Sequence, residues 1–369
     1  MDNCALSLTD RAGNVSEISV IIHKHNYTVE VTKEPTCTEK GIKTYTCLCG
    51  DTYTEEIPFS HNFVDGICTI CGKNEYEDFE LTRDNYEMAG ITREGDVVIP
   101  ETFEYEGQKY IITNIGDVCR YNSDVTSISL PSTVTHIGDY AFAGCSKLIS
   151  VNIPDKVTSI GTSAFEGCRL NSISLPNGLT SIGTSAFKNC DLTSIDIPDS
   201  VTEIGGGAFS NTKLVNVLIP NNVINVGGSA FSGCRELESV IFSNNMSVIN
   251  ESTFNGCYSI KSISIPSNII KICEYAFRNC ISLESVTMQK GVKTIEGYIF
   301  GGCTKLTSVI LPNSIIDIGS NLFMDCTEIT NVDVPDSAVN INKYAFYKVK
   351  HITYHGTLEG APWGALSMN

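Results

Sequence analysis

The chain has 369 residues, 42% of them hydrophobic, so it can bury a core and is not compositionally disordered. Its 42 acidic against 25 basic residues leave a formal charge of −17, which argues against nucleic acid and anionic membrane surfaces as partners. No apolar run approaches the roughly 18 residues that cross a bilayer, so direct membrane insertion is not expected.

The first residues, MDNCALSLTDRAGN, lack the basic start and apolar stretch of a secretory leader. The stretch ALSLTDRAGNVSEISVII resembles the last strands of an immunoglobulin-like or fibronectin-like module. Residues 1–22 are therefore expected to be the remnant of such a module or an exposed tail.

Residues 23–75 change in composition. Cys37, Cys47, Cys49, Cys68 and Cys71 fall here with His25 and His61. CLCG and CTICG are two Cys–Gly knuckles, the shape of a zinc ribbon. The glycine lets backbone N–H groups approach the thiolates, and four ligands close a tetrahedron. Cys47, Cys49, Cys68 and Cys71 are the candidate ligands of a structural zinc. Cys47-x-Cys49 is one residue shorter than the usual C-x-x-C, so Cys37 or His61 would substitute for one of them. Disulfides and free thiols are the alternatives. A short module with little core needs some cross-link, and four filled zinc positions would leave none for catalysis.

From residue 76 the pattern changes again, and 76–120 reads as an irregular opening segment. Beyond it Phe142, Phe165, Phe187, Phe209, Phe231, Phe254, Phe277, Phe300, Phe323 and Phe346 recur at intervals of 22 or 23 residues. A short alternating segment such as LISVNIP (148–154) precedes each and predicts a strand with one buried face, ended by a proline that cannot donate to a ladder. A second apolar step such as VTSIG (157–161) leads into the AF pair. One unit cannot bury its own Leu, Val, Ile and Phe, but stacked on its neighbours it can. The fold class is therefore a mainly β repeat solenoid, with short parallel strands stacked into a curved sheet. Eight cysteines sit three residues after the Phe: Cys145, Cys168, Cys190, Cys234, Cys257, Cys280, Cys303 and Cys326. Thr212 and Val349 hold the same slot, so the column reads as packing by a small buried residue rather than redox or metal chemistry.

The pattern L-x-S-[IV]-x-[IL]-P followed by V-T-x-I-G-x-x-A-F-x-x-C resembles the BspA-type leucine-rich repeats of bacterial surface proteins. The resemblance covers about three-quarters of the chain, with about eleven repeats across 76–369. FELTRDNYEMAGITREGDVVIPETFEYEGQKYIITNIG resembles the irregular first repeat that caps such arrays, and ITYHGTLEGAPWGALSMN, within the closing cap 350–369, resembles their last segment. Trp363 would cover the final coil. Residues 23–75 resemble small cysteine-rich modules that flank repeat arrays in gut-bacterial surface proteins. The resemblance implies an extracellular or cell-surface location. It also implies adhesion or recognition of a host matrix protein, a cell-surface protein or another surface protein.

Catalytic constellations are missing from the sequence: His136, His351 and His355 lie at the two ends of the array, and no nucleophile or metalloprotease motif is present. Binding residues are sought instead on the outward strand positions, which form two columns of mostly Ser, Asn and Asp. Leu218 and Ile241 break that pattern on adjacent strands, beside Asn216, Ser239 and Ser264, and mark the candidate contact patch. Cys273 stands where most repeats carry Gly or Asn and is read as a thiol outside the column. The expected function is non-enzymatic adhesion or protein recognition through the array; the alternative is a rigid spacer presenting other domains.

Overall fold

The computed structural model describes residues 2–9, 15–22, 27–35, 39–47, 50–57, 63–64, 67–68, 79–82, 87–91, 95–105, 108–357 and 363–368. The chain divides into two units, Met1–Glu77 and Asp78–Asn369. In the first, Asp2–Thr9 and Val15–Ile22 form an antiparallel hairpin. Tyr27–Lys33, Gly41–Cys47 and Thr52–Ile57 form a three-stranded antiparallel sheet. Tyr53 holds that sheet's face, stacked on Tyr45 at 4.5 Å and edge-on to Tyr27 at 5.0 Å. Phe63–Val64 and Ile67–Cys68 pair as a short second hairpin.

The second unit is a solenoid without a helix among its described residues. Most coils contribute two strand segments, and each set stacks in parallel register. One ladder is built from the S-[IV]-x-[IL] segments, as in Ser127 opposite Ser150 and Ile128 opposite Val151. The other comes from the two residues before the glycine of V-T-x-I-G, as in Ser159 opposite Ser181 and Ile160 opposite Ile182. This second ladder lies where the sequence suggested only an apolar step. It is too short to show alternation, and only its stacking on neighbours makes it sheet.

The core is the phenylalanine column. Nine consecutive ring pairs from Phe142 to Phe346 stack at centroid distances of 5.2 to 6.4 Å. Trp363 closes the far end edge-on to Phe346 at 6.5 Å, and the Phe346 N–H donates to its carbonyl. The turn around each Phe from Phe142 to Phe323 is bracketed by left-handed residues. Two after it stand Gly144, Gly167, Asn189 or Asn211, and two before it stand Tyr140, Ser163, Ser185 or Tyr275. Gly and Asn tolerate that conformation; Ser and Tyr pay a small steric penalty that the packed coil imposes.

Glycine sets the closeness of the second ladder. A Cβ on Gly183 would lie 2.5 Å from the Gly161 carbonyl carbon, and one on Gly205 would lie 2.4 Å from Thr184 N. The ladder runs unbroken through Gly138, Gly161, Gly183 and Gly205 to Asn225–Val226 and breaks before Val248–Ile249, whose coil has Asn250 in the glycine slot. There the Asn250 side-chain amide donates to the Val226 carbonyl at 2.7 Å, in place of the backbone bond.

The first ladder is not continuous either, and coil length explains most of its gaps. Coils entered at Cys168, Cys190 and Thr212 have one residue fewer between the cysteine slot and the following Leu. The longer coils close that turn with a bond such as Leu148 N–H to Cys145 O at 3.0 Å. In the shorter coils the turn is lost, and the steps from 150–152 to 172–174, 194–196 and 216–218 carry no strand pairing. The remaining links stretch: Thr193 N to Asn171 O is 3.3 Å, against 2.9 Å for Ile149 N to Thr126 O. Pairing returns between Asn216–Leu218 and Ser239–Ile241, where the longer coil resumes. It lapses once more before Ser262–Ile265, where Phe242 and Ser243 replace the usual Ile-Pro and Phe242 turns edge-on to Phe254 at 5.8 Å.

Candidate functional site

Asn216–Leu218 and Ser239–Ile241 therefore form a two-stranded piece with no ladder bond to the segment on either side. Its register places Asn216 opposite Ser239 and Leu218 opposite Ile241. Val217 points inward and is buried, so the alternation turns the other two residues of its strand to solvent. The Ser239 hydroxyl donates to the Asn216 amide oxygen at 2.6 Å. Leu218 and Ile241 are 58% and 61% exposed, values that set them among the most exposed large apolar residues of the array. Four of the five residues expected to form the patch thus lie together. Ser264 does not share their ladder: it belongs to Ser262–Ile265, which pairs onward with Ser285–Met288.

Elsewhere the outward columns are mostly polar, and several of their residues bond to one another or to the backbone. Asp96 accepts from the hydroxyls of Thr126 and Ser127, and Asn152 bridges both backbone groups of Leu130. Ile310 is equally exposed in the Leu218 column, but its neighbours Thr287 and Asp333 are polar. A second set of exposed apolar residues, Ile224, Ile270, Ile316 and Val339, occupies the slot where earlier coils carry Thr, just before the second ladder. The sequence reading missed them, although substitution of Thr158, Thr180 and Thr202 by Ile was visible in the column. Beside them lies a groove of about 380 Å³ in which Thr294 and Asn340 both donate to Asp317, at 3.0 and 2.6 Å. The loosened first ladder leaves a groove of about 340 Å³ between 172–175 and 194–196.

The cysteine column is buried as expected, and it does one thing more. Each thiol lies within donor distance of a main-chain carbonyl of the preceding coil: Cys168 to Phe142 at 3.1 Å, Cys190 to Phe165 at 3.0 Å, Cys257 to Phe231 at 3.2 Å and Cys326 to Phe300 at 2.9 Å. Thr212 satisfies the slot differently: its hydroxyl donates within its own coil, to the Phe209 carbonyl at 2.9 Å. Burial pushes the thiol of Cys190 up to about 12 and that of Cys234 up to about 11, partly offset by hydrogen bonds from Cys168 and Thr212 in the preceding coil's slot, and Cys257 and Cys303 rise well above the ordinary thiol range. A thiol held protonated in this way is a poor nucleophile. Cys273 is half-buried, and burial with the nearby Glu296 carboxylate raises it too.

Of the expected zinc ligands, Cys37, Cys49, Cys71 and His61 lie outside the described residues, and Cys68 is described only in its backbone. Cys47 is buried at the end of its strand. Its N–H donates to Asp51 O at 2.8 Å, and Gly50 turns the chain at φ 90° to donate back to Cys47 O. Among the described residues no three His, Cys, Asp or Glu side chains converge as a metal site. His136 pairs with its neighbour Thr135 at 2.8 Å and His355 with Asp333 at 2.8 Å, both exposed at opposite ends of the array. Among the described residues no helix is long and apolar enough to cross a membrane.

Against known proteins, the model of the BspA type leucine-rich repeat region matches in six copies over residues 113–234, 180–297 and 270–361. No curated protein matches the sequence. Among solved structures, a leucine-rich repeat protein from Bacteroides ovatus is 28% identical with a TM-score of 0.62, over 79% of this chain and 74% of that one. The pneumococcal vaccine antigen PcpA is 18% identical with a TM-score of 0.56, over 92% and 85% of the two chains, a likeness of fold alone.

Proposed function

The chain belongs to the BspA-type leucine-rich repeat family, and from that premise we propose that it is a non-enzymatic surface protein that recognises another protein through its repeat array. Proteins built from these repeats generally bind other proteins, are generally without enzymatic activity and are typically found at the cell surface. The partner would be a host matrix or cell-surface protein, or another surface protein. The observation that carries the reading is the pair Leu218 and Ile241. They stand side by side and exposed on a mostly polar face, on a strand pair whose ladder continues on neither side. Adjacent apolar side chains framed by Asn216 and Ser239 have the character of a contact patch with a polar rim.

The uniform ring stack favours a second reading, a rigid spacer that holds other domains away from the surface. Changing Leu218→Asp together with Ile241→Asp separates the two, since both side chains are solvent-facing and the fold should accept the charges. The wild-type chain and the double variant are tested for binding to immobilised matrix proteins, mucins and glycans. Saturable binding lost in the variant supports recognition through this patch. Binding that survives the charges removes the patch, and no binding to any surface leaves the spacer.

A further inference from the structure

The first complete coil departs from the repeat where its aromatic belongs. In the later coils the phenylalanine N–H donates to a carbonyl of the following coil, as Phe142 does to Ala164 and Phe165 to Ala186, both at 2.8 Å. In the first coil the residue making that bond, to Ala141 at 3.1 Å, is Cys119. The register is confirmed from the other side. Cys145, in the next coil's cysteine slot, points its thiol to the Cys119 carbonyl at 2.8 Å, as Cys168 does to the Phe142 carbonyl. Cys119 therefore stands in the phenylalanine slot, and its sulfur takes the place of a ring. That puts Cys119 Sγ 3.4 Å from Cys145 Sγ, with both residues buried. Along the rest of the column the slot beside each cysteine is filled by a phenyl ring.

We propose that Cys119 and Cys145 are a cross-linking site, oxidised to a disulfide that staples the first coil to the ring-stacked array. The sulfurs stand about 1.4 Å beyond bonding distance. In the step, both S–H bonds break and one Sγ–Sγ bond forms. The two electrons and two protons pass to a disulfide oxidant, whose own S–S bond opens into two thiols. Cys145 gives up its bond to the Cys119 carbonyl in exchange. Both sulfurs are buried, so exchange takes place while the coil is open, during folding or end fraying. The position has a physical logic. Asn114–Ile115 of this coil still pairs with Glu87–Met88 of the opening segment, but the coil has no ring to stack on Phe142, so a covalent tie would supply a link that the other coils get from their rings.

The reduced full-length chain is refolded in oxidised glutathione and, separately, held native in it below the melting temperature. Free thiols are then alkylated, and the chain is digested and mapped by mass spectrometry. A peptide pair linked through Cys119 and Cys145 is expected in at least the refolded sample, with a melting temperature several degrees above that of the reduced chain. Cys145→Thr keeps a donor in the slot, as Thr212 does, and should fold, yet lose both the linked peptide and the oxidant-dependent rise. Recovery of Cys119 and Cys145 as alkylated thiols in both samples overturns the proposal. So does linkage of Cys119 to any other cysteine, or a linked pair with unchanged melting temperature.

Discussion

Replacing Phe209 by Ala tests whether the ring column holds the solenoid together. Phe209 is fully buried between Phe187 and Phe231, with centroids 5.5 Å away on both sides and planes within 9° and 6°. Truncating a buried Phe costs about 3–5 kcal/mol in lost transfer energy and cavity. Each ring pair adds about 0.5–1.5 kcal/mol beyond burial, and Phe209 has two. Phe142 has only Phe165, at 5.2 Å, with Cys119 in the ring slot on its other side. Phe142→Ala should therefore cost about 1 kcal/mol less than Phe209→Ala. Because each coil touches only its neighbours, the central cut should also uncouple the two halves. Trp363 is the only tryptophan and packs on the last ring, so its fluorescence reports the C-terminal half while circular dichroism reports the whole. In urea, Phe209→Ala should split the two signals, with the dichroism midpoint falling further than the fluorescence midpoint. Coincident midpoints, a loss under about 2 kcal/mol, or a larger effect at Phe142 would refute this account.

Gly205→Ala should cost about 1–3 kcal/mol, since its Cβ would meet backbone at 2.4 Å, whereas Gly178→Ala, with only Asp155 O at 3.6 Å, should lie near neutral; thermal melts of the two compare them directly. Cys257→Thr should be more stable than Cys257→Val by about 1 kcal/mol, reversing the usual core preference, because a hydroxyl in this slot can donate to a carbonyl of its own coil, as Thr212 does to Phe209, and valine cannot; equal stabilities would leave hydrogen bonding in this slot without weight. For thiols raised by burial, the thiolate is scarce below the raised value. Alkylation of the native chain at pH 8 should therefore label half-buried Cys273 well before Cys190, at about 12, and Cys234, at about 11, as read by peptide mass spectrometry. The purified chain should carry about one zinc per molecule by elemental analysis, lost in Cys47→Ser with Cys68→Ser, if residues 23–75 form the expected ribbon. Metal-free protein with intact disulfides would replace it by the cross-linked alternative.

Most of the array was readable because its side chains repeat in phase. Phe142 to Phe346 announce the core, and the Leu and Ile around them announce a face that only stacking can bury. What stayed hidden depends on backbone geometry that no single residue type reports. Ser163 and Tyr275 adopt left-handed conformations at φ 51° and 60°, and neither residue advertises that choice, whereas Gly167 and Asn279 two positions after their Phe did carry the signal. The thiol bonds to the preceding coil were equally invisible, although Thr212 in the slot was a clue to a donor. Of the candidate patch, Leu218 and Ile241 were legible as breaks in a polar column. The place of Ser264 outside their ladder was not, because it goes with Phe242 and Ser243 at the next step.

Coil length ties these findings together. The intervals are 22 residues from Phe165 through Phe231 and 23 on either side. The shorter ones cover the region where the first ladder loses its pairing and the second keeps its tight glycine contacts. One residue removed from the turn after Cys168, Cys190 and Thr212 is enough to lose pairing in the first ladder, while the second keeps contacts as close as those at Gly161 and Gly319 in the longer coils. Leu218 and Ile241 sit where the longer coil resumes and pairing briefly returns, so they lie on the boundary between two regimes of the same repeat. Restoring a residue between Thr212 and Leu214 would extend the ladder backward from Asn216–Leu218. If recognition depends on the isolated strand pair and its unpaired edges, that insertion should weaken binding while leaving both apolar side chains in place. If it depends on the side chains alone, it should not.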